Sequence, residues 1–156
     1  MWWRLTAKEF ESSKGEANRR AMRALVRRGD VPGLLAYDGE EAVGWCAVAP
    51  RTAYPRLARS RIMRPVDDVA VWSIVCLFVA KPWRDRGVAT VLIRAAVEHV
   101  RAQGGEAVEG YAVEPRRGRT ADLYAYPGPV SAFRAAGFVE VARRSPTRPI
   151  MRYLLE

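Results

Sequence analysis

Apolar residues recur along the chain with two different periods, which together predict a mixture of helices and strands. Between residues 17 and 28 they return every three to four positions, as they do on one side of a helix. Two short apolar runs at 33–37 and 42–49 flank an Asp-Gly turn, which predicts a β-hairpin. Residues 71–79 are apolar on both alternating faces, which predicts a central strand covered on both sides.

The second half of the chain continues this mixed pattern. A long helix is predicted over residues 88–103, because apolar residues cover a wide arc of it and a Gly-Gly pair follows. The order of helices and strands predicts a mixed α/β fold in one domain that spans residues 1–156. The remaining predicted elements are strands at 107–113, 138–143 and 150–155 and a short helix at 129–136.

Composition and charge narrow the class of protein. No apolar stretch reaches the 18 or so residues needed to cross a membrane. Charged residues directly follow Met1-Trp2-Trp3, so this segment does not fit a signal peptide, and we expect a cytoplasmic protein without membrane contact. The formal net charge of +9 would attract nucleic acid and phosphorylated small molecules alike, so charge alone does not choose between these ligands.

The turn between the central strand and the long helix is the sharpest chemical feature of the sequence. A helix that begins near Gly87 leaves its first backbone N–H groups without partners inside the helix, and such donors favour an anion. Gly87 allows the backbone to approach a ligand closely, and Ala89 keeps the next contact small. Arg84 and Arg86 can add charge-assisted hydrogen bonds to phosphate oxygens, so the turn is suited to a pyrophosphate.

The same turn resembles the acyl-CoA-binding motif of the GNAT acetyltransferase superfamily. The motif, Arg/Gln-x-x-Gly-x-Gly/Ala, stands here as Arg84-x-x-Gly87-x-Ala89. Residues 131–138, Ser-Ala-Phe-Arg-Ala-Ala-Gly-Phe, resemble the helix and Gly-Phe pair that begin the family's next strand, and the order of elements agrees from about Leu34 to Leu155. The resemblance implies a GNAT-like α/β fold, with a central, mostly antiparallel sheet, one splayed pair of parallel strands and helices on both faces.

The resemblance also implies a reaction and a site for its acyl donor. Acetyl-CoA would be bound without a metal, and a primary amine would attack its thioester directly. Backbone groups at the end of the central strand would hold the pantetheine arm, and the following turn would wrap the pyrophosphate. The cofactor-binding residues predicted in this way are Phe78, Val79, Arg84, Asp85, Arg86, Gly87, Val88, Ala89 and Thr90.

Two catalytic positions of the family carry other residues in this chain. Residues 71–79 contain no carboxylate, although many relatives place a glutamate there as the base, and Phe133 stands where relatives often have a tyrosine that acts as the acid. Glu109 is the candidate base if its face of the strand meets the cleft; the alternative is a solvent-facing or structurally paired carboxylate. Tyr126 and Tyr124 are the candidate acids, with Tyr126 preferred because relatives often carry an asparagine there; the alternative is that both tyrosines only line a pocket.

Other ionisable residues are weaker candidates for chemistry. Asp67 and Asp68 precede a strand, where aspartates are typical of turns. His99 lies within the apolar arc of the long helix, which favours a packed, hydrogen-bonded residue.

The sequence leaves the acceptor and two other functions open. The acceptor would be a small-molecule or peptide amine; the arginine-rich connection 51–61 would suit an acidic or phosphorylated one, or form a solvated helix face. A non-catalytic acyl-CoA sensor is the first alternative, because the family's usual base and acid are absent.

A basic nucleic-acid-binding domain is the second alternative. The net charge and the run Arg116-Arg117-Gly118-Arg119 suggest it, but no zinc spacing or stacked-aromatic motif supports it. A homodimer is compatible with either enzyme or sensor.

Overall fold

The computed structural model describes residues 1–114 and 126–156, and its centre is a six-stranded sheet in the order β1-β2-β3-β4-β6-β5. Neighbouring strands are antiparallel except β3 and β4, which run parallel. This arrangement confirms the predicted fold class. The strands are β1 (Leu34–Asp38), β2 (Glu41–Pro50), β3 (Val71–Val79), β4 (Ala107–Tyr111), β5 (Val139–Arg143) and β6 (Pro149–Leu154).

Helices pack against both faces of the sheet. The larger apolar cluster lies under α4 and α5, and the smaller one, on the opposite face, includes Leu57 of α3. Among the helices of the described ranges, none combines the length and apolar character that a membrane crossing requires. The helices are α1 (Ala7–Ser12), α2 (Glu16–Arg27), α3 (Pro55–Arg59), α4 (Val88–Ala102) and α5 (Val130–Ala135).

A β-bulge in β3 changes which face its side chains occupy. Ala47 of β2 pairs with Cys76 and Val48 pairs with Ile74, so Val75 is the extra residue on β3. Ile74 and Leu77 consequently share the α4 face, while Val75 packs in the cluster on the other face. The simple alternation predicted for residues 71–79 is therefore wrong beyond Val75.

The parallel strands β3 and β4 separate after a short paired region. Val71–Ile74 pairs with Ala107–Gly110, and the rest of β3 has no partner residue in β4. The chain before α5 enters the resulting gap: the Leu77 N–H donates to the Tyr126 carbonyl at 2.6 Å, and the Val113 N–H donates to the Gly128 carbonyl at 2.9 Å. The two strands thus splay apart at their carboxyl ends, beside the start of α4.

Helix α4 fixes one wall of this gap. Its buried residues are spaced so that they form one continuous apolar stripe against the sheet. Glycines with positive φ flank the helix, Gly87 at 79° and Gly104 at 71°. The predicted range 88–103 is one residue longer than the observed helix. The stripe consists of Leu92, Ile93, Ala96, Val97 and Val100.

Candidate active site

A cleft with a volume of about 810 Å³ opens where β3 and β4 separate. The end of β3 forms its floor, the first turn of α4 forms one side, and the chain leading into α5 forms the other. Its lining includes eight of the nine residues predicted to bind the cofactor; Arg86 is the exception. These eight are Phe78, Val79, Arg84, Asp85, Gly87, Val88, Ala89 and Thr90.

The start of α4 presents main-chain donors to the cleft. Gly87, the residue before the first helical turn, has a left-handed conformation and gives the helix no side-chain cap. The N–H groups of the first turn, from Val88 to Thr90, have no partner within an α-helix and carry the positive end of its dipole. A Cβ built on Gly87 would meet no atom of residues 1–114 and 126–156 within 4 Å. The turn therefore has open space beside several backbone donors, as a phosphate group requires.

Two arginines stabilise the turn that precedes α4. The Arg84 Nε donates to the Val79 carbonyl at 3.1 Å, which ties the turn to the end of β3. The Arg86 guanidinium lies over the Trp83 ring, 5.4 Å from its centroid. Asp85 has a φ of 59°, in the left-handed region. These contacts hold the backbone of the turn in place independently of a ligand.

The end of β3 directs its backbone groups alternately to β2 and to the gap. The Ala80 N–H donates to the Val43 carbonyl of β2 at 2.9 Å, whereas the Leu77 N–H points into the gap. By the same alternation the peptide groups of Phe78 face β2 and those of Val79 face the gap. Val79, rather than Phe78, is thus placed to present an N–H to a ligand in the cleft.

Tyr126 is the candidate acid that the structure places at the cleft. Its side chain is half-buried and lines the cleft. Burial raises the pKa of the Tyr126 phenol, so the hydroxyl keeps its proton throughout the neutral range. Tyr124, the other candidate acid, lies outside the described residues.

Comparison with known proteins then identifies the family. The sequence model described as "Acetyltransferase (GNAT) family" matches residues 1–125. The chain belongs to the GNAT acetyltransferase family. This acyltransferase fold extends beyond the matched residues, since β6 lies between β4 and β5 in the same sheet. No curated protein matches the sequence.

Solved structures of other proteins share the fold. The ribosomal-protein-alanine N-acetyltransferase from Brucella melitensis is 16% identical, with a TM-score of 0.56 over 90% of this chain and 78% of that one. The PaiA N-acetyltransferase from Thermoplasma acidophilum, solved with coenzyme A, is 12% identical, with a TM-score of 0.56 over 97% and 80%. A chain of the NatC complex, bound to Gag peptide and CoA, is 13% identical, with a TM-score of 0.56 over 88% and 79%.

In this GNAT protein, Glu109 is a buried, paired carboxylate. Its side chain is 1% exposed, and its Oε1 accepts from the Arg152 guanidinium at 2.6 and 3.0 Å. The Tyr111 hydroxyl donates to its other oxygen at 3.3 Å. Glu109 is not part of the cleft lining in the described residues. These contacts favour the structurally paired alternative over the predicted role as base.

Glu109 belongs to a polar network that the sequence did not reveal. Ser73 and Tyr111 are both buried, with their hydroxyl oxygens 2.9 Å apart, and Arg51 lies against Tyr111. Arg152 also donates to both carboxylate oxygens of Asp67, at 2.7 and 2.9 Å. Its contacts with Asp67 and Glu109 raise the pKa of Arg152 despite the opposing effect of burial. Only the shared face of Glu109 and Tyr111 on β4 was visible in the sequence.

Two other positions considered for catalysis, Phe133 and His99, have side chains that pack against neighbouring aromatic rings. Phe133 is fully buried against Gly110 and Gly128, with its ring centroid 5.3 Å from that of Phe138. His99 is half-buried and meets Trp72 edge to face at 5.8 Å. Phe133 therefore fills the base of the splay, where relatives often carry the tyrosine.

Proposed function

We propose that this protein transfers an acetyl group from acetyl-CoA to a primary amine of a small molecule or peptide. The observation that carries the proposal is the open first turn of α4, from Gly87 to Thr90, on the wall of the cleft between β3 and β4. Main-chain donors at a helix start hold a diphosphate through geometry and the helix dipole. The coenzyme-bound structures of the two relatives named above support the choice of ligand.

Different groups of the protein would bind the diphosphate and the thioester of the donor. The first turn of α4, together with the preceding turn that Arg84 and Arg86 stabilise, would hold the diphosphate. The Val79 N–H, which faces the gap, would hydrogen-bond the thioester end of the donor and stabilise negative charge on its carbonyl oxygen. The amine nitrogen attacks the carbonyl carbon, the carbon–sulfur bond breaks, and the proton that the amine loses passes to water.

Tyr126 is proposed as the acid that protonates the departing thiolate. Its hydroxyl remains protonated at neutral pH because burial raises its pKa, and its backbone is fixed to β3 through Leu77. A positioned acid of this kind contributes roughly a hundredfold or more to a rate. Glu109 is not assigned the task of base in this proposal, because it is paired with Arg152.

Acetyl-CoA binding tests the proposal first, through Gly87→Ala with Gly104→Ala as its matched control. Both glycines have positive φ and open space around a built Cβ, and they flank the same helix. Each alanine should cost about 1 kcal/mol of stability because of the left-handed backbone. Only Gly87→Ala should weaken acetyl-CoA binding, by about tenfold or roughly 1.4 kcal/mol. Equal affinity in both variants would contradict the proposed diphosphate site.

Catalysis needs a separate measurement. Acetyl-CoA at a hundred times its Kd should raise the free energy of unfolding by about 2.7 kcal/mol. Release of free CoA thiol is then followed with a panel of primary amines. Stabilisation with amine-dependent thiol release supports an acetyltransferase, whereas stabilisation without release across a broad panel would favour an acyl-CoA sensor.

A further inference from the structure

The two halves of the sheet are joined over a short distance. Strands β1, β2 and β3 form one half, and β4, β6 and β5 form the other. The halves pair through four residues of each central strand, Val71–Ile74 of β3 and Ala107–Gly110 of β4. The strands separate directly beyond Ile74 and Gly110, and we call this point the fork. The width of the cleft therefore depends on the contacts that hold the two halves together at the fork.

Tyr111 lies at the fork and reaches across it. It is the first residue of β4 beyond the paired region, and it is 2% exposed. Its ring packs in the same apolar cluster as Val75, the extra residue of β3. Its hydroxyl oxygen lies 2.9 Å from the Oγ of Ser73 on β3. Tyr111 thus belongs to one half of the sheet and contacts the other half.

The hydroxyl of Tyr111 has three hydrogen-bond partners, and one assignment of donors satisfies all of them. Arg51, which directly follows β2, donates to the oxygen from Nη1 at 2.5 Å. The hydroxyl donates its own proton to Glu109 Oε2 at 3.3 Å, so Ser73 is the donor in the remaining bond. Burial, followed by the charge of Glu109, raises the pKa of Tyr111 and keeps this proton on the phenol. The oxygen therefore accepts two hydrogen bonds from the opposite half.

The partners of Tyr111 are themselves held in place. Arg51 Nη2 donates to the Met63 carbonyl at 2.6 Å, and Arg51 Nη1 lies 3.8 Å from Glu109 Oε2. Arg152 of β6 binds the other oxygen of Glu109 at 2.6 and 3.0 Å. Hydrogen bonds that involve a charged group are the stronger ones. The network consequently runs from the end of β2 to β6 and crosses the fork at Tyr111.

The opposite face of the fork is filled by an apolar ring. Phe133 packs so closely that a Cβ on Gly110 would lie 2.1 Å from its ring, and one on Gly128 would lie 3.1 Å from it. Apolar contact of this kind is non-directional, whereas hydrogen bonds constrain both distance and angle. The relative orientation of the two halves is therefore defined more sharply by Tyr111 than by Phe133.

A small rotation at the fork becomes a large displacement in the cleft. Val79, whose N–H faces the gap, ends β3 beyond Ile74, about 16 Å further along the strand. At this distance a rotation of about 4° between the halves moves Val79 by about 1 Å relative to the opposite wall. A misplacement of about 1 Å can cost roughly a hundredfold in rate. Contacts at the fork can thus control chemistry that takes place at Val79.

We infer that Tyr111 is a positioning residue whose hydroxyl fixes the separation of β3 and β4, and with it the placement of the thioester between Val79 and Tyr126. The inference rests on the proposed acetyl transfer, which assigns the cleft to acetyl-CoA. Tyr111 is not among the described residues that line the cleft, so it acts through the two strands. The turn proposed to hold the diphosphate is tied to the end of β3 by Arg84, so we expect its geometry to be independent of the fork.

Tyr111→Phe tests the inference, with Tyr54→Phe as its matched control. Tyr54 is also buried in the smaller apolar cluster, but its hydroxyl takes no part in the hydrogen bonds described at the fork. In Tyr111→Phe the Kd for acetyl-CoA should rise about tenfold and kcat should fall about tenfold or more, as expected when a hydrogen bond is lost. ADP carries a diphosphate without a pantetheine arm, and its Kd should stay within about twofold of the parent value. Tyr54→Phe should leave all three quantities unchanged.

Ser73→Ala removes the same hydrogen bond from the other side of the fork. It leaves the contacts of Tyr111 with Arg51 and Glu109 in place, so it serves as the test if Tyr111→Phe does not fold. Because both changes break one bond, the double variant should lose no more kcat than the more damaging single change. Additive losses would contradict a shared role.

The outcomes separate this inference from the function on which it rests. If acetyl-CoA neither stabilises the parent nor supports thiol release, the proposed function fails. If the parent binds acetyl-CoA but Tyr111→Phe and Ser73→Ala behave like Tyr54→Phe, the positioning role of Tyr111 alone is refuted. Equal losses of affinity for acetyl-CoA and ADP would refute it as well, because the effect would not be confined to the gap. In a protein that binds without turnover, the ratio of these two affinities decides.

Discussion

The two faces of the sheet carry different kinds of polar group. On the α4 face the cluster is apolar, and the polar groups presented are main-chain donors at the start of a helix. On the opposite face, Glu109, Arg152, Ser73 and Tyr111 form a connected network of buried side chains. Main-chain donors depend on backbone conformation, whereas the network depends on the identity of every member. Side-chain substitutions in the buried network should therefore lower stability, whereas substitutions at the start of α4 should act through the backbone conformation.

The largest effect is expected from Glu109→Leu. This change leaves the buried Arg152 with Asp67 as its remaining carboxylate, and breaking a buried ion pair typically costs about 3–5 kcal/mol. Urea denaturation measures the loss as a lower free energy of unfolding. Glu98→Gln on the exposed side of α4 is the control and should change stability by less than about 0.5 kcal/mol.

Glu109→Gln distinguishes a structural role of Glu109 from a role as the catalytic base. It keeps the size of the side chain, and it should lower stability without shifting the pH dependence of kcat/KM. A shifted pH profile in a variant as stable as the parent would instead support the predicted role of Glu109 as base.

The helices and strands were predictable because apolar periodicity and flanking glycines are patterns of neighbouring residues. The periodic apolar residues and flanking glycines of α4 predicted residues 88–103, and the observed helix ends one residue earlier. The bulge at Val75 was not predictable, since an extra residue is defined only by pairing with β2. The environment of Glu109 was equally hidden, because its partner Arg152 is 43 positions away in the sequence.

The candidate cofactor-binding turn was easier to locate in the sequence than the candidate catalytic residues. A single turn of sequence, from Arg84 to Ala89, contains the motif and the helix start, so its position follows from neighbouring residues. Tyr126 reaches the cleft only because its segment enters the gap beside Leu77.

Tyr126→Phe should have the next largest effect, on rate rather than on stability. Loss of the proposed acid should lower kcat about a hundredfold, equivalent to about 2.7 kcal/mol, while the Kd for acetyl-CoA stays within twofold. Because burial raises the Tyr126 pKa, the parent should keep its acid form past pH 10, the usual value for a phenol. A kcat within threefold of the parent would exclude Tyr126 as the acid.

Gly110→Ala tests the packing beneath the splayed strands. A Cβ at this position would lie 2.1 Å from the Phe133 ring, which is fully buried and has little room to move. Overpacking of this kind should reduce stability by about 2 kcal/mol. Adding Phe133→Leu should recover part of the loss, so the double variant should be more stable than the sum of the two single changes predicts. Strict additivity would contradict the contact.

The smallest effect on stability is expected from Asp67→Asn. This change removes the charge of the more exposed of the two carboxylates that pair with Arg152. Hydrogen bonds from Arg152 lower the Asp67 pKa, so the folded state favours the charged form. Its stabilisation is therefore present above the unfolded pKa, about 3.9, and is lost as the pH falls through the lower folded value. Thermal melts of parent and variant should differ at pH 7, and the difference should shrink as the pH falls below about 3.9 and through the lower folded pKa. A constant difference would show that Asp67 contributes through shape rather than charge, unlike the buried Glu109 on the same arginine.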